Sequence, residues 1–275
     1  VGDQVVEGKN IIIATGSVLD MPTVPGLEEA AFTTDQVFNM TEIPESVLVT
    51  DPGYIGVEMA FLLNVFGSKV TIAVPTPRIL PAEDQDSSQR IAQSLRERGV
   101  EILTRQTLES VSKGGAGWAC KLSGGGKEQT IAGKKVLVST RKPAVAGLGL
   151  EALGIKFNAE GGIAVNDRVQ TSVPTVYAIG DATGGWMLSH AASSMAICAA
   201  ENCMGQATKF NGSLITRAMW TVPQMGSVGL SEEEAEKKGL DIEVGGFPYS
   251  INGYAMLRGE VDGAVKIVSD AGTGE

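Results

Sequence analysis

Apolar positions along the chain fall into two rhythms, one helical and one extended. Residues 47–49 (VLV) and 69–74 (KVTIAV) are short runs rich in β-branched residues, and residues 54–66 between them carry an apolar helix that Gly67 stops. A loop at 75–81 (PTPRILP) leads into residues 84–98, where Ile91, Ala92 and Leu95 recur at helical spacing with charges between them, up to Gly99. Residues 100–103 (VEIL) are a third parallel strand, so 47–103 makes two consecutive strand–helix–strand units. From 108 to 131 short alternating runs, broken at Gly114-Gly115 and Gly124-Gly125-Gly126, predict an antiparallel meander, and 136–138 (VLV) returns to the parallel sheet.

The remaining segments read more simply. Residues 10–14 (NIIIA) form a buried-type strand, closed by Thr15-Gly16-Ser17. Residues 161–165 and 175–179 are further strands, the second ending in Gly180-Asp181. Residues 187–204 are an alanine-rich, apolar helix and are expected to be buried. After a boundary near Ser213 the composition shifts to strands around one acidic helix, 231–238, whose Ser231-Glu232-Glu233-Glu234 start is a capping box. Residues 263–268 (GAVKIV) are strand-like, with a turn after them and no partner strand following. With Val1 first and a strand almost at once, the chain is expected to be a piece of a longer protein. The fold class is α/β: a Rossmann-like doubly wound domain with a flanking β-meander, part of a second α/β domain, and a truncated α+β domain.

Composition narrows this picture without redirecting it. With 43% hydrophobic and 20% charged residues, the 275-residue chain has ordinary globular composition. A net charge of -10 argues against a nucleic-acid partner, which needs clustered Lys and Arg. No apolar run approaches the roughly 20 residues that span a bilayer, no leader opens the chain, and three cysteines do not make a disulfide framework at this length, so a cytoplasmic location and no membrane partner are expected.

The candidate chemistry centres on residues 47–58 (VLVTDPGYIGVE). Gly53 and Gly56 take the last two places of a G-x-G-x-x-G pattern whose first place is Asp51, between strand and helix as that fingerprint requires. Other motifs follow in order: Ala14-Thr15-Gly16-Ser17, Tyr54-Ile55-Gly56-Val57-Glu58, Arg78-Ile79-Leu80-Pro81, residues 171–181 (TSVPTVYAIGD), Met187-Leu188-Ser189-His190-Ala191 and residues 223–232 (PQMGSVGLSE). Together they resemble the flavin-dependent pyridine nucleotide-disulfide oxidoreductases, most closely the dihydrolipoamide dehydrogenase branch. The resemblance implies the middle and later part of that family's chain: 1–24 a remnant of the FAD-binding domain, 25–147 an NAD-binding domain, 148–213 the rest of the FAD-binding domain, and 214–275 a truncated dimer-interface domain. It implies FAD contacts from Asp181, Gly180, Gly16, Thr15, Met187 and Leu188, with Asp181 on the flavin's ribityl chain. It places Gly53, Tyr54, Ile55, Gly56 and Glu58 on the nicotinamide side. The implied reaction is dihydrolipoyl oxidation passing electrons through a disulfide and FAD to NAD, in a homodimer acting on a small-molecule or lipoyl-domain substrate.

Several positions depart from that family pattern. The family's redox cysteines lie in a segment this sequence lacks. Cys198 and Cys203 have the same spacing but sit in a predicted helix, where residues five apart have Cα atoms about 8 to 9 Å apart, beyond the about 7 Å a disulfide tolerates. No metal site is expected, and no catalytic residue is assigned within this chain; the family's base histidine lies beyond it, and His190 is expected to serve packing or a contact behind the flavin-side residues. On the nicotinamide side Asp51 and Pro52 replace glycine-turn residues, Val74 stands where the family has a ribose-binding acid, and Thr140 stands before Arg141-Lys142-Pro143 where it has glycine, so NAD binding is expected to be weakened. Asp51 as N-cap with Pro52 at the first helical position would make an ordinary helix start. Two rivals therefore stand beside the enzyme reading: a redox-dead scaffold or assembly relative, and another disulfide reductase or NADH oxidase of the same superfamily.

Overall fold

The computed structural model describes residues 5–115 and 117–274; Ala116 of the predicted meander and the terminal residues 1–4 and Glu275 lie outside it. The chain divides into two compact units, Val1–Asp20 with Arg141–Arg217, and Met21–Thr140 with Ala218–Glu275. In chain order the first unit opens with β1 (Ile11–Ile13) and β2 (Ser17–Leu19).

The second unit begins with α1 (Leu27–Ala30), β3 (Ala31–Thr33) and α2 (Thr34–Phe38), whose Thr33 cap pairs reciprocally with Gln36. Then come β4 (Ser46–Val49), α3 (Tyr54–Val65), β5 (Lys69–Val74), α4 (Gln85–Glu97) and β6 (Glu101–Thr104). The antiparallel meander of β7 (Thr107–Gly114), β8 (Gly117–Gly124) and β9 (Lys127–Gly133) follows, and β10 (Lys135–Val138) re-enters the sheet. The sheet is parallel, in the order β3-β10-β4-β5-β6, so the two predicted strand–helix–strand units are present, with the third strand one residue later than the pattern suggested. Val47, Val49, Val70, Ile72 and Val74 from the strands meet Val57, Ala60 and Leu63 of α3 and Ile91 and Leu95 of α4 in one core. Burying each Val, Leu or Ile side chain of this set is worth about 1.5–3 kcal/mol.

The first unit continues with β11 (Arg141–Pro143), antiparallel to β2, and β12 (Val176–Ala178), parallel to β1, then α5 (Ser189–Cys203). Three expectations need correction here. The strand at 10–14 is not of buried type: Ile11 and Ile12 are 54% and 41% exposed, because β1 has β12 as its strand neighbour and its outer face is uncovered. Residues 161–165 form no strand; Gly161 takes φ +76°, a Cβ on Gly162 would meet the Thr183 carbonyl at 2.4 Å, and a single bridge joins Ile163 to Phe157. The long helix is buried on one face only, through Ala191, Met195, Cys198 and Ala199, while Ile197 and His190 are exposed.

The last part holds β13 (Arg217–Met219), β14 (Met225–Ser227), α6 (Glu232–Lys237), β15 (Ile242–Pro248), α7 (Gly253–Arg258) and β16 (Ala264–Asp270). The Ser231 capping box forms as expected, with Glu234 as the reciprocal partner. The strand expected to lack a partner has one: β16 pairs antiparallel with β15, from Ile242 opposite Asp270 to Pro248 opposite Ala264. Lys266 of β16 binds three carboxylates, Asp84 at 3.0 Å, Asp86 at 3.0 Å and Glu232 at 2.6 Å. Burial alone would lower the Lys266 pKa, but these hydrogen bonds outweigh it and raise it; Asp84, which burial would raise, is lowered by the same contacts.

The raised ammonium contributes stability in full below its unfolded pKa and loses it as pH rises through the folded value. The lowered Asp84 contributes above its unfolded value and loses it as pH falls. Lys266→Met should therefore cost about 1–2 kcal/mol at neutral pH and progressively less in acid, read as urea midpoints across pH. An equal loss at acid and neutral pH would show that packing, not charge, is responsible.

Gly56 in the first turn of α3 gives a second prediction. A Cβ there would lie 2.3 Å from the Asp51 carbonyl oxygen and 2.7 Å from the Asp51 Cβ, so the backbone would have to move. Gly56→Ala should destabilise the chain by about 1–3 kcal/mol in chemical denaturation, and an unchanged midpoint would contradict the close packing.

Candidate functional site

In the first unit, two of the predicted segments converge because their strands run parallel. With β1 beside β12, residues 14–17 and 179–181 leave the sheet at the same, carboxyl, edge, the edge where ligands bind in open α/β sheets. Ile179 N–H donates to Ile13 O at 3.0 Å, and Ser17 Oγ donates to Asp181 Oδ2 at 2.6 Å. Arg141, at the start of β11, donates from Nε to Ser17 Oγ and from an NH2 group to Ser17 O, both at 2.8 Å. Asp181 is thus held through Ser17 by a guanidinium, and its Oδ1 carries no hydrogen bond among the described residues. Gly180 and Gly16 take φ +63° and +74°, the left-handed conformation that favours glycine.

Gly180 also lines a cavity of about 420 Å3 within this unit, together with Thr183, Gly184, Met187, Leu188 and Met195. The Gly184-Gly185 turn that shapes one wall needs both glycines at positive φ, and Gly185 N–H donates to Glu160 Oε2 at 2.7 Å. The structure therefore brings together Thr15, Gly16, Gly180 and Asp181 at the strand ends, and Gly180, Met187 and Leu188 around the cavity. His190 does not enter it; its Nε2 lies 2.5 Å from Thr216 O on the exposed side of α5.

In the second unit, Gly53, Tyr54, Ile55, Gly56 and Glu58 form the start of α3. The helix begins differently from the expected Asp51 cap. Gly53 is the N-cap, Tyr54 is the first helical residue, and no side chain caps the end. Asp51 lies two residues earlier and accepts Gly53 N–H at 2.8 Å on Oδ1 in a local turn, while Ser139 Oγ donates to its Oδ2 at 2.6 Å. The Tyr54 hydroxyl donates to Glu83, a fully buried carboxylate that also accepts from Ser227 Oγ at 2.6 Å. Burial pushes the Glu58 carboxyl up, partly countered by Trp220 N–H, which donates to its Oε1 at 2.8 Å.

Four residues that matter here were not singled out in the sequence. Ser17 and Arg141 lie in motifs already quoted, but nothing in the spacing shows that one holds Asp181 through the other. Ser139 and Glu83 carry no motif signal; both become visible only when distant segments close on each other. Among the described residues, no group of three His, Cys, Asp or Glu could hold a metal ion, and no helix is long and apolar enough to cross a membrane.

The three cysteines are free, and Cys198 and Cys203 do not pair, as their helical spacing predicts. Cys198 is buried, its Sγ donating to Thr208 O at 3.3 Å, and burial raises its pKa; burial pushes the Cys120 thiol up to about 11. Cys203, expected to be buried with Cys198 in the same helix, is half-exposed at the last turn of α5 because the helix ends there. In the native chain, iodoacetamide should label Cys203 first and reach Cys120 and Cys198 only after unfolding, by peptide mass mapping. Equal labelling of all three without denaturant would contradict this packing.

Comparison with known proteins gives a consistent result. The family model described as pyridine nucleotide-disulphide oxidoreductase matches residues 1–196, and that family's dimerisation domain matches residues 215–275. A dihydrolipoyl dehydrogenase of Bacillus subtilis is 35% identical over 275 residues, covering 100% of this chain and 60% of its own length. One of Chlorobaculum tepidum is 37% identical, covering 97% of this chain and 58% of that protein. Among solved structures, the HOCl-induced flavoprotein disulfide reductase RclA of Escherichia coli superposes with a TM-score of 0.81 at 29% identity, covering 96% of this chain and 61% of that one. The chain thus spans about three fifths of the length of the proteins it matches.

Proposed function

The chain belongs to the pyridine nucleotide-disulphide oxidoreductases, and from that membership we propose that it carries the flavin-contacting and dimer-forming parts of a dihydrolipoyl dehydrogenase-like flavoprotein. In this reading residues 1–24 and 148–213 serve the FAD side, 25–147 form the dinucleotide-type domain, and 214–275 belong to the interface of a homodimer. The substrate class would be a dihydrolipoyl group, free or on a carrier domain, oxidised to the disulfide.

The observation that carries the reading is the Arg141–Ser17–Asp181 chain at the carboxyl edge of β1 and β12. Its donor set fits a flavin's ribityl end. A polyol supplies hydroxyl donors, Asp181 Oδ1 can accept one, and Gly180 and Gly16 leave the approach free of side chains. The guanidinium holds Ser17, and Ser17 orients Asp181 without covering its Oδ1. Met187 and Leu188, on the neighbouring cavity wall, offer apolar surface beside it. Bound FAD would supply the two-electron relay between a dithiol and a pyridine nucleotide. This chain's own cysteines cannot form the disulfide of such a relay, because Cys198 and Cys203 lie within one helix and Cys198 is hydrogen-bonded elsewhere.

The test is a flavin fluorescence titration of the purified chain, with dihydrolipoamide turnover measured in parallel. FAD uptake is expected, without turnover. Asp181→Ala should weaken uptake by about ten- to a hundred-fold, as loss of a charge-assisted hydrogen bond worth about 1.5–3 kcal/mol implies. An affinity unchanged by Asp181→Ala would remove the flavin-side assignment.

A further inference from the structure

A dinucleotide fold binds its ligand by leaving N–H groups at the first turn of a helix free for a pyrophosphate, with glycines where the backbone must come close. The second unit has that fold, yet a carboxylate of its own sits in the turn and takes the Gly53 N–H. Asp51 follows β4 where the first glycine of the fingerprint would stand, and it is only 9% exposed. Both of its carboxylate oxygens are used: Oδ1 accepts Gly53 N–H and Oδ2 accepts the Ser139 hydroxyl. A Cβ on Gly53 would sit 3.1 Å from Asp51 Oδ1, so the carboxylate lies directly against the residue that should face the ligand.

The surroundings close the site further. Pro52 has no N–H to offer, and its carbonyl accepts Leu80 N–H at 2.7 Å, drawing the segment after β5 onto the turn. Val74, at the end of β5, is completely buried, so no acceptor for a ribose reaches out from that position. Glu58 spends Oε1 on Trp220 N–H. The residues present do not fit a dinucleotide.

We propose that the Asp51 carboxylate is a built-in substitute for the pyrophosphate, so that the second unit folds without a dinucleotide and excludes NAD(H). Asp51 is then the specificity-determining residue of this half of the molecule. It supplies the negative charge that the helix end favours, donors satisfy both oxygens, and a second anion arriving beside it meets the repulsion of a carboxylate already in place. At about 5 Å and an effective dielectric near 20, that repulsion corresponds to roughly a two-hundred-fold loss of affinity. The proposal rests on the family membership only for the expectation that a dinucleotide would bind at this turn.

The test is calorimetric titration of the 275-residue chain with NADH, beside Asp51→Gly and Asp51→Asn. The asparagine keeps the side chain's size and removes its charge, so it covers the case in which the glycine variant fails to fold; circular dichroism checks both. Val74→Glu is left out because it would bury an unpaired charge. Wild type should give no saturable heat up to millimolar NADH, whereas a folded variant should bind about a hundred-fold more tightly, in the micromolar range. Micromolar binding by wild type overturns the proposal, and so does a folded Asp51→Asn that gains no affinity. FAD uptake by the same samples reports on Asp181, in the other unit, so a failure of the flavin assignment and a failure of this one give different patterns.

Discussion

Backbone N–H groups converge where a parallel strand hands over to a helix, and something must accept them. In the second unit Asp51 accepts one of them, the Gly53 N–H. Its carboxylate joins the turn after β4, through Gly53, to the end of β10, through Ser139. The adjacent Pro52 carbonyl fixes the loop after β5 through Leu80. Three neighbouring strands of the sheet, β10, β4 and β5, are therefore tied at their carboxyl ends by one dipeptide. Gly56 must be glycine because α3 is pulled against that dipeptide, with no room for a methyl group between them. Helix position, sheet edge and the state of the nucleotide turn all follow from where one carboxylate is held.

Much of this was legible in the sequence because it depends on local period. The alternation of 47–49, 54–66, 69–74 and 84–98 determines a doubly wound sheet whatever lies around it, and the glycine clusters at 114–115 and 124–126 mark the meander's turns. The failures share a cause. Exposure of β1 depends on what covers it, and an Ile-Ile-Ile run looks the same covered or bare. Residues 161–165 have strand composition, but the tight approach of Gly162 to Thr183 holds them in an irregular path. The pair Asp51-Pro52 reads as a helix cap by residue preference, yet the backbone turns two residues later and the carboxylate bonds within the turn instead. Each miss is a case where tertiary contact decided what local preference left open, a conformation at 161–165 and 51–52 and an exposure at β1.

The candidate site shows the same division. Asp181 and its glycine are visible as a motif, since a strand ending in Gly-Asp has few uses at a sheet's carboxyl edge. Ser17, which orients Asp181, and Arg141, which orients Ser17, are 164 and 124 residues from their partners, and no periodicity spans such distances. What the fold adds is a hierarchy: the motif residue keeps one carboxylate oxygen free of hydrogen bonds among the described residues, and the residues behind it are recruited from whichever strands happen to end nearby.

The chain thus carries two aspartates in equivalent places, each just past the carboxyl end of a parallel strand, with opposite consequences. Asp181 is half-buried, gives one oxygen to Ser17 and keeps the other available, so its charge is oriented and still able to accept. Asp51 is buried and gives both oxygens to the protein, so its charge is spent on the fold. Position alone therefore does not make such an aspartate a ligand residue. A carboxylate that its own chain satisfies on both oxygens completes the sheet edge and closes it; one that its chain satisfies on a single oxygen leaves that edge open to a hydroxyl from outside.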